Sequence, residues 1–240
     1  MENWIKWTEE ITVREADVDF RGRMKPSALL RYAEYMATEH SRREGMPDEF
    51  FRTHHLAYLL GKQALSFEQV PQKGDRLLLT TLPEQSSRGT NKRILLVQDA
   101  SGKTVAQVDA RWIMVDTTTA RILRRPPEEI DRHWNAQVPF ELPQTVEKPP
   151  FLNSAGVWRA SYSLCDINGH INNACYLDIA CDALPLEVMQ QGPVRSAAVK
   201  YHREVKLGEE MEVSVGQTED GWAVTGRREG SAAFELAFRW

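Results

Sequence analysis

The 240-residue sequence predicts an α+β fold built from two similar units. Three observations carry that expectation. A helical run is followed by a series of strand-like stretches in the first half, a proline-rich charged segment lies in the middle, and the same order of features returns in the second half.

Taken in order, residues 1 to 24 alternate enough, around Ile11-Thr12-Val13-Arg14, to predict a first strand. Lys25-Pro26-Ser27 then opens a helical run, Ala28 to Ala37, that fades toward Gly45; proline is tolerated in a first helical turn because its missing N–H would be unpaired there anyway. Strands are expected at Leu65–Val70, Arg76–Thr81, Arg93–Gln98 and Val105–Val115, separated by polar breaks such as Lys73-Gly74-Asp75. One helix and an antiparallel meander suggest a helix wrapped by a sheet. Pro126-Pro127 and Pro149-Pro150 bracket a charged stretch. The expected division is therefore residues 1–125 for the first domain, 126–153 for a linker and 154–240 for the second domain.

The second half lies on the first. Asp19 and Gly22 fall on Asp166 and Gly169 at one offset of 147 residues, and a helix follows in both places. Phe67 to Gly74 and Tyr201 to Gly208 have equal spacing, each glycine being followed by an acid, and Arg111-Trp112 matches Arg239-Trp240. Three matches in one order indicate a duplicated unit. The copies differ in chemistry. Where the second has Asn168, His170 and Asn172, the first has Arg21, Arg23 and Lys25, whose fixed charge cannot serve neutral acid–base work near pH 7. A degenerate first site is expected, its copy turned into a wall, lid or docking surface.

Composition excludes several classes. Charged residues at 27% and hydrophobic residues at 42% are ordinary for a folded soluble chain, and a net charge of -4 speaks against general nucleic-acid binding. No stretch approaches the roughly 20 apolar residues of a membrane helix. The start, Met1 to Glu10, has neither a signal-peptide core nor transit-peptide character, so the cytoplasm is the expected compartment. Cys165, Cys175 and Cys181 match no zinc or redox spacing and read as reduced thiols around a helix; no metal and no cofactor are expected. Cys165 makes a poor nucleophile, because Asp166 beside it raises a thiol's pKa and no adjacent base offsets that.

The chemistry concentrates in Cys165 to Pro185. Asp166, Asn168 and His170 alternate and run into a helix that Asn172 or Asn173 can cap and Pro185 stops. Asp-Ile-Asn-Gly alone is a good turn, but a turn has no need of three further polar groups before a buried helix. A helix start offers unpaired N–H groups to an oxygen gaining negative charge.

These residues carry a family likeness. Tyr162-Ser163-Leu164-Cys165-Asp166-Ile167-Asn168-Gly169-His170-Ile171-Asn172-Asn173 with Tyr176 resembles the C-terminal signature of the acyl-acyl-carrier-protein (acyl-ACP) thioesterases, and softer matches extend to Val13-Arg14, Gly74-Asp75, Trp112-Ile113-Met114 and Arg121 to Glu128. The resemblance implies a tandem hotdog fold, two helices each wrapped by an antiparallel sheet, and hydrolysis of the thioester between a fatty acyl chain and the phosphopantetheine of acyl carrier protein. It carries over Asp166, Asn168, His170 and Glu204 as catalytic, with Asn172, Asn173 and Tyr176 at the substrate. A cysteine often follows the glutamate in that family; here it is Val205, which excludes a thiol at that point. The first-copy counterpart of Glu204 is Val70.

Either Glu204 or Asp166 acting as base on water, or direct attack by Asp166, would satisfy this residue set, with Asn168, His170 and the helix start orienting base and carbonyl. Acyl-tunnel walls are expected from Leu29, Leu30, Met36, Leu59, Leu60 and Ile113. The carrier is acidic in the family, which implies a basic rim at Arg195, Lys200 and Arg203, with His202 beside them and Arg88, Lys92 and Arg93 as a second group. A homodimer is compatible with such folds, although the duplicated chain already forms a pseudo-dimer. The rival readings are an acyl-CoA thioesterase, a hotdog hydratase or dehydratase, and an acyl-binding module without turnover. Hydratases favour Gly before the Asp and Pro after the Asn, where this chain has Cys165 and Gly169.

Overall fold

A computed structural model describes residues 5–131, 134, 136, 138 and 140–240; residues 1–4 and residues 132, 133, 135, 137 and 139, the latter within the expected linker, lie outside the described residues. The elements run β1 (Trp7–Thr12), α1 (Pro26–Arg43), α2 (Asp48–Thr53), β2 (Leu56–Phe67), β3 (Arg76–Pro83), β4 (Asn91–Asp99), β5 (Thr104–Asp116), β6 (Arg121–Ile122), α3 (Glu128–Asp131), β7 (Asn153–Arg159), α4 (Cys175–Ala183), α5 (Leu186–Gln191), β8 (Ser196–Tyr201), β9 (Glu210–Gln217), β10 (Gly221–Arg228) and β11 (Ser231–Arg239).

α1 starts with Pro26 in its first turn and ends with His40, Arg42 and Arg43, cations that suit the negative end of the helix dipole. Two boundaries depart from the pattern reading. The first strand is Trp7–Thr12 rather than the run around Ile11 to Arg14, because Val13 leaves the ladder and donates its N–H to the Asp75 carbonyl at 2.9 Å. β2 begins at Leu56, well ahead of the expected Leu65; Leu56 to Gly61 lacks alternation, and a register shift between Leu60 and Lys62 resets it.

The strands form one sheet in the order β1-β3-β4-β5-β2-β8-β11-β10-β9-β7, with β6 added to β5. The order of the first five is mirrored in the last five. The seam is the antiparallel pair β2–β8, where Ala64 faces Ala198 and small or short side chains continue to Leu65–Ala197 and Ser66–Ser196. Both main helices pack on the same side, and Leu29, Leu30 and Met36 of α1 share one buried cluster with Leu177 and Ile179 of α4 and with Phe234 and Phe238 of β11. Burial of that many large apolar side chains, at roughly 1.5–3 kcal/mol each, is what drives the two halves together.

Matched hydrogen bonds show how closely the halves repeat. Asp19 N–H donates to Arg23 O at 2.8 Å and Gly22 N–H to Asp19 O at 2.9 Å; in the second half Asp166 N–H donates to His170 O and Gly169 N–H to Asp166 O, both at 3.0 Å. Gly22 and Gly169 have φ of 76° and 77°, a conformation that glycine adopts without steric cost. Met24 N–H reaches Pro71 O as Ile171 N–H reaches Val205 O, at 2.8 and 2.9 Å.

The described residues of the 126–153 stretch pack on the first half. Ile130 and Trp134 join Met46, Leu56 and Met114, while Ala136 and Val138 cover Leu82 and Ile94 on the outer face of β3 and β4. Its apolar side chains thus hide a sheet face that would otherwise be wet.

Candidate active site

The second-half turn places Asp166, Asn168 and His170 over the start of α4. Asp166 Oδ1 accepts the Asn168 N–H at 2.9 Å, which closes the turn and leaves Oδ2 without a donor among the described residues. His170 pairs with Lys206 as an antiparallel bridge, and this brings Glu204 alongside, in the loop after β8 rather than on the expected strand. His170 Nδ1 donates to the Ile171 carbonyl at 3.2 Å, and its Nε2 lies 3.8 Å from Glu204 Oε1. Glu204 is half-exposed, its backbone carbonyl held by Arg228 Nη1 at 3.1 Å. A carboxylate and an imidazole nitrogen therefore face one another across a gap that an oxygen atom of a reactant can approach.

The start of α4 is built from Asn172 and Asn173. Asn172 Oδ1 accepts the Ala174 N–H at 2.9 Å, which shapes the turn leading into α4; the N-cap position itself is Ala174, without a side-chain cap bond, in place of the expected asparagine cap. The Asn173 carbonyl accepts the Tyr201 hydroxyl at 3.0 Å, and that hydroxyl accepts Gln63 Nε2 at 2.6 Å. Among the described residues the Asn173 N–H has no protein acceptor. It is an unpaired donor at a helix start. At the same position, offset by 147, the first half has Pro26, which has no N–H to offer.

Tyr176 lies in the core, 3% exposed, against Tyr201 and Phe234, and its hydroxyl is held by the Val205 backbone; burial pushes its ionisation far above the usual tyrosine range. It props the segment that carries Glu204. The thiols are protonated: burial, then Asp166, raises Cys165, and burial pushes Cys181 up to about 12.

Sequence reasoning missed Glu34. This α1 residue accepts Asn172 Nδ2 at 3.0 and 3.3 Å through its two carboxylate oxygens. Burial raises its carboxyl above the ordinary glutamate value, the Asn172 bond opposes this, and nearby Asp166 adds to it. The first half thus supplies a carboxylate to the second-half cluster. The visible signal was weak, because Glu34 follows Arg31 at helical spacing and reads as one half of a solvated pair. Arg31 instead crosses to α4, where Asp178 accepts its Nη2 at 2.5 Å and the Ser27 hydroxyl at 2.5 Å.

The cations expected to meet a carrier are spread apart. Arg203 is exposed beside Glu204, but Lys200 alternates to the sheet face opposite the helices, and Arg195 lies beyond the other end of β8, about 20 Å away along the strand. The second group forms no rim: Lys92 pairs with Glu84 at 3.0 Å, and Arg93 is half-buried with its Nη1 turned to His40 and Thr81. Of the expected tunnel walls, Leu29 and Met36 are core, Leu59 is 46% exposed, and Leu30 and Leu60 line a small cavity with Glu34, Arg93 and Asn173. A larger cleft of about 750 Å³ starts at Asn168 and Glu34 and runs between α1, α2 and the strands of the first half. That volume accommodates a small-molecule chain. Among the described residues no group of three or more His, Cys, Asp or Glu side chains is arranged to hold a metal, and no helix is long and apolar enough to cross a membrane.

Residues 5–133 match the family model described as the acyl-ACP thioesterase N-terminal domain, and residues 157–234 that of the acyl-ACP thioesterase C-terminal domain. Curated relatives include an oleoyl-acyl carrier protein thioesterase of Arabidopsis thaliana chloroplasts, 21% identical over 85% of this chain and 61% of its own, and a palmitoyl-acyl carrier protein thioesterase of Cuphea hookeriana, 21% identical over 85% and 53%. The chain thus spans between half and two thirds of the length of these relatives. Among solved structures, an acyl-ACP thioesterase of Bacteroides thetaiotaomicron superposes with a TM-score of 0.84 at 21% identity over 98% of this chain and 97% of that one. The 12:0-ACP thioesterase of Umbellularia californica gives 0.85 at 16% identity over 98% and 97%. At these identities the superpositions speak to the fold.

Proposed function

The chain belongs to the acyl-ACP thioesterase family, and from that premise we propose that its second-half site hydrolyses fatty acyl thioesters of acyl carrier protein, releasing the free fatty acid and the carrier thiol in fatty-acid biosynthesis. The observation that carries the reading is the asymmetry of the repeat. Both halves build the same turn, but only the second combines His170, Glu204 and a free Asn173 N–H; the first has Arg23, Val70 and Pro26 there. In the first half Asp19 is occupied by Arg23 at 3.3 Å. A site for binding alone would have no need of that difference.

The proposed chemistry follows from the geometry. Water attacks the thioester carbonyl while Glu204 takes its proton, with His170 Nε2 beside the carboxylate to relay it. The carbonyl oxygen gains charge toward the Asn173 N–H and the positive end of α4, and Asn168 at the mouth of the cleft supplies a further donor. The C–S bond then breaks and the relayed proton goes to the departing thiolate, so the carboxylic acid and thiol account for all atoms of water and thioester. Asp166, bound into the turn through Oδ1, holds the geometry and adds negative charge beside His170. The acyl chain occupies the cleft of the first half. Arg203 and Lys206 flank Glu204 where the carrier's acidic surface would approach, and acyl carrier protein of the cytoplasm is the expected partner.

Thiol release measured with long-chain acyl carrier protein and the matching acyl-coenzyme A tests this reading. Turnover at a higher kcat/KM on the carrier substrate is expected. Release from neither substrate by folded protein would refute the hydrolase assignment, and a higher kcat/KM on coenzyme A would refute the carrier preference.

A further inference from the structure

The far part of the cleft is built for something other than a plain hydrocarbon. Asn91 lines it with only 6% of its surface exposed, and neither its Oδ1 nor its Nδ2 has a protein partner among the described residues. Its register partner across the β4–β5 ladder is Trp112, which lines the same cleft with an equally unpartnered Nε1–H. Two residues along β4, on the same face, is Arg93.

Arg93 is a half-buried cation that pairs with no carboxylate among the described residues. Its Nη1 donates to His40 Nδ1 at 3.2 Å and to Thr81 Oγ1 at 3.3 Å, and the guanidinium lies 5.0 Å from the Trp134 ring centroid. None of its Nε and Nη2 hydrogens has a protein acceptor among the described residues, and the side chain lines both cavities. Burying the Asn91 amide and the Trp112 N–H unpaired beside a half-buried cation is unfavourable unless a partner arrives. The donors left over here outnumber the acceptors, so the missing partner is acceptor-rich and anionic. An alkyl chain would leave all of these groups unpaired.

We infer that the acyl group this site accepts carries a carboxylate at its distal end, bound by Arg93 with Asn91 and the Trp112 N–H. The inference rests on the thioesterase reading and specifies its substrate class. Its length scale comes from α1. Glu34 bonds Asn172 at the reacting end and His40 bonds Arg93, and Glu34 and His40 lie about 9 Å apart along the helix axis, a span suited to a medium-length chain. Arg93 forms a charge-assisted pair with the carboxylate through its free Nε and Nη2 donors.

The test compares acyl carrier protein loaded with decanoic acid and with its diacid counterpart, sebacic acid, using intact protein, Arg93→Met and Asn91→Leu, each checked for folding by its melting curve. The intact protein should favour the diacid thioester in kcat/KM by at least about tenfold. Arg93→Met should abolish or reverse that preference while keeping turnover of the decanoyl thioester, and Asn91→Leu should reduce it. Calorimetry with the free acids gives a reading independent of turnover: sebacic acid should bind more tightly than decanoic acid. Decanoyl preference in the intact protein, or a ratio unmoved by Arg93→Met, would overturn the inference and leave the thioesterase reading standing. Loss of release from both thioesters, with tighter sebacic acid binding, would refute the hydrolysis reading and keep the carboxylate site.

Discussion

His170 Nδ1 donates to the Ile171 carbonyl while its Nε2 stands 3.8 Å from the Glu204 carboxylate, and of this pair the residue pattern marked only the histidine. Asp166, Asn168 and His170 were visible because they alternate in a short polar run. Glu204 rested on family likeness, since an exposed glutamate between Arg203 and Val205 has no local mark of function. Glu34 was not legible, because the contact that gives it meaning joins residues 138 positions apart. A consequence follows for its titration. Glu34 holds its proton more tightly folded than unfolded, so it makes the protein less stable as pH rises from the ordinary glutamate value through the raised one. Glu34→Gln removes that loss, so its melting temperature relative to the intact protein should climb across this window and be least different below it. As a positioning residue for Asn172, Glu34→Ala should lower kcat by about tenfold with little change in KM, and Glu34→Gln, which keeps an acceptor, should restore most of it.

At the scale of elements, the two helices meet through polar contacts beside the apolar core. Asp178 accepts from Ser27, which is buried, and from Arg31. Asp178→Ala should therefore destabilise the fold by about 1–3 kcal/mol in denaturant unfolding, since it strands a buried hydroxyl. The turn glycine gives a sharper test. Gly169→Ala forces a Cβ into positive φ at an expected cost of about 1–2 kcal/mol, and nothing lies close enough to clash, so the loss should be purely conformational. Element order was readable from polar breaks and apolar runs, and the placement of α1 from Lys25-Pro26. The start of β2 was not, because Leu56-Ala57-Tyr58-Leu59-Leu60-Gly61 carries no alternation and its pairing is decided by β5, a partner far along the chain.

For the whole molecule, duplication is the organising fact. One sheet runs through both halves across the β2–β8 seam, and one buried cluster takes side chains from both helices. Chemical unfolding should accordingly be a single transition, with tryptophan fluorescence and far-ultraviolet circular dichroism coincident; two separated transitions would show halves that fold alone. The repeat was legible as an offset of 147 residues and reappears bond for bond, but the seam was not, since Ala64 and Ala198 look like any small strand residues. Division of labour follows from this arrangement. Under the proposed function the second half supplies the reacting groups, and the first supplies α1, Glu34 and most of the cleft lining.

That division is tested most directly by thiol release from acyl carrier protein substrates by His170→Ala and Glu204→Gln, set against the mirrored first-half variants Arg23→Gln and Val70→Ala, all confirmed as folded. The second-half variants should lose about a hundredfold or more in kcat, whereas the mirrored variants should stay within a few-fold of the intact protein. Retained turnover in His170→Ala and Glu204→Gln, with loss in the mirrored pair, would contradict the assignment of chemistry to the second half.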